Sequence, residues 1–175
     1  MDLEHLRYPI GKFNPTAITT TLSQAMDEIK RFPSALFAAV APLSEQELDL
    51  PYRPGGWTIR QLVHHCADSH TQALFRVKLA LTEENPTIKP YHEAQWAQLP
   101  DANLPAHLSL DQLRIVHQKW TSLLEAMSAE EFKKTFFHPE KQRSQSLEEV
   151  TYLYAWHGQH HLAHITGAIS RNFDR

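Results

Sequence analysis

The sequence predicts an all-α fold, a four-helix bundle with a long crossover between its second and third helices. Three observations predict it. Helix-capping signals recur ahead of long segments whose apolar residues return in steps of three and four. No segment alternates apolar and polar residues over a useful length, so no sheet is expected. The chain has 175 residues, 42% hydrophobic and 21% charged, which suits one domain with a sizeable core rather than a disordered or fibrous chain. That domain is expected to span residues 1–175.

The elements follow in order. Asn14-Pro15 offers a start with Pro at the first helical position. The first long helix is expected over about residues 16–41, on the stripe Leu22, Met26, Ile29, Leu36, Val40. Pro33 sits on that stripe and predicts a kink or break. Ser44 with Glu47 forms a capping-box pattern for a short helix over 44–50. Thr58 with Gln61, and a Trp57–Leu62 staple, opens the second long helix, over about 58–81. It turns Ile59, Leu62, Cys66, Ala73, Val77 and Ala80 inward. Residues 82–108 hold Pro86, Pro90, Pro100 and Pro105, which forbid a continuous helix. Tyr91, Trp96 and Leu99 give this stretch groups to pack, so an ordered crossover is expected. Ser109 with Gln112 opens the third helix, over about 109–127, on Leu113, Val116, Trp120, Leu123 and Leu124. Ser128 with Glu131 starts a short helix over 128–134, and Ser146 with Glu149 opens the fourth, over about 146–170. Residues 43–48 echo residues 127–132, either as two ordinary helix exits or as a duplicated helix pair.

Several function classes are excluded. Lys plus Arg number 17 against 20 Asp plus Glu, a net charge of −3, which is not the balance of a nucleic-acid binder. The longest apolar run, residues 35–41, falls far short of the roughly 20 residues of a membrane span. Met1-Asp2-Leu3-Glu4-His5 carries acids and no apolar stretch, so no signal peptide is expected. The single cysteine, Cys66, allows no internal disulfide and reads as small helix filler in a cytoplasmic protein. HExxH, ExxH, GxSxG, Walker and Rossmann patterns are all absent.

Histidine is the anomaly. There are 12, four of them within residues 157–164. Leu147, Val150, Tyr154, His157, His161, His164 and Ala168 form one helical face, so the inward stripe passes from apolar residues into imidazoles. His157 and His161, four apart, stack on that face with the geometry of two ligands to one metal ion. His160 lies off the stripe. On the second helix His64 shares its side with polar residues, whereas His65 stands at the edge of the apolar face. His65 becomes the third ligand if helices two and four are neighbours. Three imidazoles with an open fourth position make a catalytic rather than a structural zinc arrangement. The competing reading is a set of core histidines bonded to carbonyls. His70, His92, His107, His117 and His138 read as surface or loop residues.

Residues 52–65, continuing through Asp68-Ser69-His70, resemble the YfiT branch of the DinB/YfiT-like superfamily, as do residues 81–91, Phe137-His138-Pro139 and residues 154–165. The resemblance spans about residues 8–169. It implies a four-helix bundle with one divalent metal ion per subunit, zinc first and nickel next, on His65, His157 and His161. It also implies a homodimer acting on a small-molecule substrate as a metal-dependent hydrolase. Related bundles transfer low-molecular-weight thiols such as bacillithiol, and Arg53, Arg60 and Arg76 are candidates for a basic rim that would hold an acidic thiol. A non-catalytic metal-binding or stress-response bundle and a purely structural dimer are the remaining readings. No general base is assigned; Asp68, three residues beyond His65, is a candidate supporting acid.

Overall fold

The computed structural model describes residues 3–173. Residues 1–2 and 174–175 of the expected domain, and with them the Met1-Asp2 part of the signal-peptide reading, lie outside the described residues. The order is α1 (Leu3–Arg7), α2 (Leu22–Val40), α3 (Glu45–Leu48), α4 (Ile59–Thr82), α5 (Glu93–Trp96), a 3-10 turn at Pro100–Asn103, α6 (Ala106–Ala126), α7 (Ala129–Phe132), β1 (Thr135–His138), β2 (Arg143–Ser146) and α8 (Leu147–Phe173). The long helices α2, α4, α6 and α8 form the bundle. α2 packs on α8 and α6, and α4 packs on α6 and α8. The neighbouring of α4 and α8 is the condition on which His65 depended.

Four capping boxes close, at Thr21/Gln24, Ser44/Glu47, Thr58/Gln61 and Ser128/Glu131. Each satisfies two backbone donors that a helix start leaves open. Two expected starts move. α2 begins at Leu22, because Thr21 caps it, while Asn14 only turns the chain by accepting from the Thr16 amide at 3.0 Å. α6 begins at Ala106 behind Pro105, so Ser109 and Gln112 lie inside the helix. Their side chains bond α4 instead: Ser109 Oγ meets His64 Nδ1 at 2.7 Å, and Gln112 donates to Thr71 Oγ1 at 3.0 Å. At Ser146 half a box forms. The Glu149 amide donates to Ser146 Oγ, but the Glu149 carboxylate pairs with Arg143.

The expectation of no sheet is corrected. β1 and β2 form an antiparallel hairpin with Thr135 opposite Ser146 and His138 opposite Arg143. Its burial alternates over only four residues, too short to register as a period. Gln142, at φ 50°, turns the loop. The crossover adds to this hairpin: the Phe137 amide donates to the Pro86 carbonyl at 2.9 Å, and the Ile88 amide donates to the Phe137 carbonyl at 3.1 Å. The remaining crossover is ordered as expected, with Tyr91 against Trp96 and the Ala97 carbonyl accepting from Gln61. Pro33 does not break α2, which runs unbroken through it.

The core falls into two apolar clusters. One gathers Ile29, Val77, Trp120, Leu124 and Val150. The other gathers Leu36, Ile59, Leu62, Leu113 and Ile165. On α4 and α8 the change from one cluster to the other occurs at histidines, His70 and His157 with His161; on α6 it falls between Leu113 and Val116, just before His117. A polar layer thus divides the core across the bundle. Among the described residues no helix is long and apolar enough to cross a membrane.

Candidate metal centre

His65 comes from the second turn of α4, and His157 and His161 from successive turns of α8. The structure brings all three together, one ring nitrogen of each lying within 4.8 Å of the others. His65 Nε2 is 3.3 Å from His157 Nε2. Two nitrogens each about 2.05 Å from one tetrahedral ion stand about 3.3 Å apart, so the His65–His157 pair has the spacing of a zinc-type site. The chemistry fits as well. Three neutral imidazoles whose nitrogens converge can offer three lone pairs to one cation.

Burial keeps the rings neutral. It lowers the His65 imidazole to about 4. Burial, then His65 beside it, takes His157 well below the usual imidazole range, and burial, then His157, does the same for His161. The unprotonated form is the form that binds metal. Trp57 covers His65, with ring centroids 4.8 Å apart.

The histidine layer extends behind the cluster. His157 Nδ1 is 3.0 Å from His70 Nε2, His70 Nδ1 is 2.7 Å from His117 Nε2, and His117 Nδ1 is 2.6 Å from the Ile29 carbonyl oxygen. On the other side His161 Nδ1 is 3.4 Å from His164 Nδ1, and His164 Nε2 is 3.0 Å from the Arg7 carbonyl oxygen. His70 and His117 are therefore not surface residues: they are 0% and 2% exposed. Burial lowers His70 well below the imidazole range and His117 to about 4. The signal that finds them is stripe arithmetic. His70 continues Cys66–Ala73–Val77, and His117 continues Leu113–Trp120–Leu124, each at helical spacing. His138 is likewise buried, on β1.

His64 points away from the cluster, satisfied by Ser109 and by the Leu104 carbonyl at 2.9 Å. His160 stacks on Trp156, with centroids 4.4 Å apart. Asp68 lines a neighbouring cavity of about 140 Å³ together with His64, His65 and Asp101. Burial, then Asp101, raises its carboxyl to about 6. Of the candidate rim arginines, Arg60 is held by Asp49 and Glu45, and Arg53 by the Tyr52 hydroxyl and the Pro54 carbonyl. Arg76 alone reaches the cleft over the cluster, a space of about 340 Å³ that His65, His157 and His161 line together with Tyr91, His138 and Lys141.

Comparison with known proteins agrees with this arrangement. The DinB superfamily profile matches residues 28–165, and the chain belongs to that superfamily. A Bacillus pumilus protein named "Putative metal-dependent hydrolase" is 47% identical over 169 residues, 95% of this chain and 97% of that protein. A Bacillus cereus protein of the same name is 48% identical over 171 residues, 97% and 98% of the two chains. Among solved structures, "YfiT from Bacillus subtilis is a probable metal-dependent hydrolase with an unusual four-helix bundle topology" describes a neighbour with TM-score 0.90 and 41% identity. The match covers 95% of this chain and 97% of that one. The fold and the YfiT-like family expected from the sequence are thus shown.

Proposed function

We propose that this chain is a metal-dependent hydrolase of small molecules, with one divalent ion held by His65, His157 and His161. The observation that carries the reading is the convergence of three neutral imidazoles beneath an open cleft. The names of the relatives support it. Zinc is our first choice and nickel the second, since a nitrogen donor set accepts both. Such an ion supplies Lewis acidity and lowers the pKa of water at its open position from 15.7 to about 7.

The chain's own residues supply the rest. Arg76 Nε, His138 Nδ1, Trp156 Nε1 and His160 Nδ1 are buried nitrogens of this cleft without a hydrogen-bond partner among the described residues. The two that can only donate, Arg76 Nε and Trp156 Nε1, suit a substrate that carries oxygen acceptors. Glu93, Glu140 and Lys141 stand at the mouth. Trp57 and Trp156 give the cleft apolar walls that exclude water from the substrate. A homodimer belongs to the same reading, supported by Phe75 and Leu79, which lie exposed one turn apart on α4.

One observation favours thiol transfer instead: Arg76 and Lys141, two cations at the cleft, would suit an acidic thiol held as thiolate at the same position. The zinc-loaded and nickel-loaded proteins should be assayed on ester and amide panels, and on thiol addition to an electrophile. Hydrolysis lost in His157→Ala supports the first reading. Turnover that requires added thiol supports the second, and no turnover on either panel contradicts both.

A further inference from the structure

We propose that two chains of histidines, each ending on a backbone carbonyl released from its helix, lock His157 and His161 in the tautomer whose Nε2 is bare; in His157 that nitrogen faces His65. The inference rests on the metal reading above for its purpose, but not for its geometry. A neutral imidazole has one N–H and one lone pair, and the hydrogen bond at one nitrogen decides the other.

The first chain starts at Pro33. Proline has no amide N–H, so the carbonyl four residues earlier, that of Ile29, loses its helical donor. That carbonyl accepts from His117 Nδ1 at 2.6 Å. A carbonyl only accepts, so His117 Nδ1 carries the proton and Nε2 is bare. His117 Nε2 then accepts from His70 Nδ1 at 2.7 Å, which leaves His70 Nε2 bare. His70 Nε2 accepts from His157 Nδ1 at 3.0 Å. His157 is left with Nε2 bare, 3.3 Å from His65 Nε2. Every step is forced by the one before it.

The second chain uses a different release. Arg7 is the last residue of α1, so no following helical turn claims its carbonyl. His164 Nε2 donates to it at 3.0 Å, which leaves His164 Nδ1 bare to accept from His161 Nδ1 at 3.4 Å. His161 Nε2 is bare in turn. The chains do not relay protons outward, because a carbonyl at the end has no proton to pass on. They orient. His65 has no such chain: its Nδ1 has no hydrogen-bond partner among the described residues, and Trp57 packs against its ring. Two ligands are preset from behind; without metal the third, His65, is placed to donate from Nε2 to the bare His157 Nε2 at 3.3 Å. Pro33, His117 and His70 are positioning residues for His157, and His164 is one for His161.

Nitrogen-15 spectra of the metal-free full-length protein test this directly, with rings assigned by substitution. His157 and His161 should each show a protonated Nδ1 and a bare Nε2, while His65 should not be fixed in that form. His70→Leu should release the His157 tautomer alone, and His164→Leu that of His161 alone. His70→Gln and His164→Asn, which keep an acceptor oxygen near the lost nitrogen, should hold the tautomers. Zn²⁺ affinity should fall about 10–100-fold in the leucine variants and less in the amide variants. Pro33→Ala removes no core group and returns a competing N–H to the Ile29 carbonyl. It should make the protein more heat-stable yet bind Zn²⁺ more weakly, a split that a merely structural proline would not give. A protonated Nε2 on His157 in the wild type, or a His157 tautomer unchanged in both His70→Leu and Pro33→Ala, would overturn the proposal. Because the tautomers are read without metal, failure of the lock and failure of the metal reading are separate results.

Discussion

His64 and His65 are sequence neighbours, so their side chains leave α4 about 100° apart. That angle separates two roles. His64 bonds Ser109 and the Leu104 carbonyl, whereas His65 faces His157 and His161. His65→Ala, His157→Ala and His161→Ala should each abolish stoichiometric metal binding, as read by metal analysis. His64→Ala should keep the metal but strand a buried hydroxyl and a carbonyl, costing about 1–3 kcal/mol in urea unfolding. Equal metal loss at His64 and His65 would contradict the geometry. At this scale the three candidate ligands were legible because helical spacing fixes direction. His70 and His117 were equally legible in spacing, but a histidine inside an apolar stripe was read by its polarity rather than by its position. The anchor of the longer chain, the Ile29 carbonyl, is a backbone atom, and Pro33 is the one sequence sign of it.

The long elements follow from caps and stripes, and the inward face expected for α4 agrees with burial: Ile59, Leu62, Cys66, Ala73 and Ala80 are all 0% exposed, whereas Leu22, Met26 and Leu123 on the other helices are only partly buried. Starts were less legible where a capping pattern could serve two purposes. Ser109 and Gln112 have the spacing of a box, but Pro105 had already opened the helix, which freed both to bond α4. The β1–β2 hairpin was illegible because four residues cannot display a period, and it brings His138, Glu140 and Lys141 to the cleft. The contact between α2 and α8 has its own test. A Cβ on Gly158 would stand 2.9 Å from Phe32 Cδ2, and the Phe32 ring stacks on His70 at 5.0 Å. Gly158→Ala gains about 1 kcal/mol of helix propensity. Overpacking costs about 1–3 kcal/mol and pushes Phe32 toward the histidine layer. A net loss of stability is expected by thermal unfolding, with Tm falling about 2–4 °C per kcal/mol lost.

A histidine layer through the core gives the whole molecule a pH dependence. The pKa values of His117 and His65 lie near 4 in the folded chain against 6.5 when exposed, and His70, His157 and His161 are also held down by burial. Below 6.5 the unfolded chain therefore binds protons that the folded chain refuses, and stability falls as pH drops. The stabilising contribution is full above 6.5 and is lost progressively toward 4. Asp68, raised to about 6, acts in the opposite sense but is one group against several. Urea unfolding of metal-free protein should show a marked loss between pH 7 and pH 5; a flat profile would contradict neutral buried rings. Bound zinc should oppose that loss above pH 6, because it binds only the folded arrangement. The central claim is the metal centre itself, and elemental analysis of untagged wild-type protein beside His157→Ala tests it most directly. The account predicts about one divalent ion per wild-type chain and none in the variant. Wild-type protein that holds no ion after reconstitution with zinc or nickel, or a variant that keeps one, would contradict it.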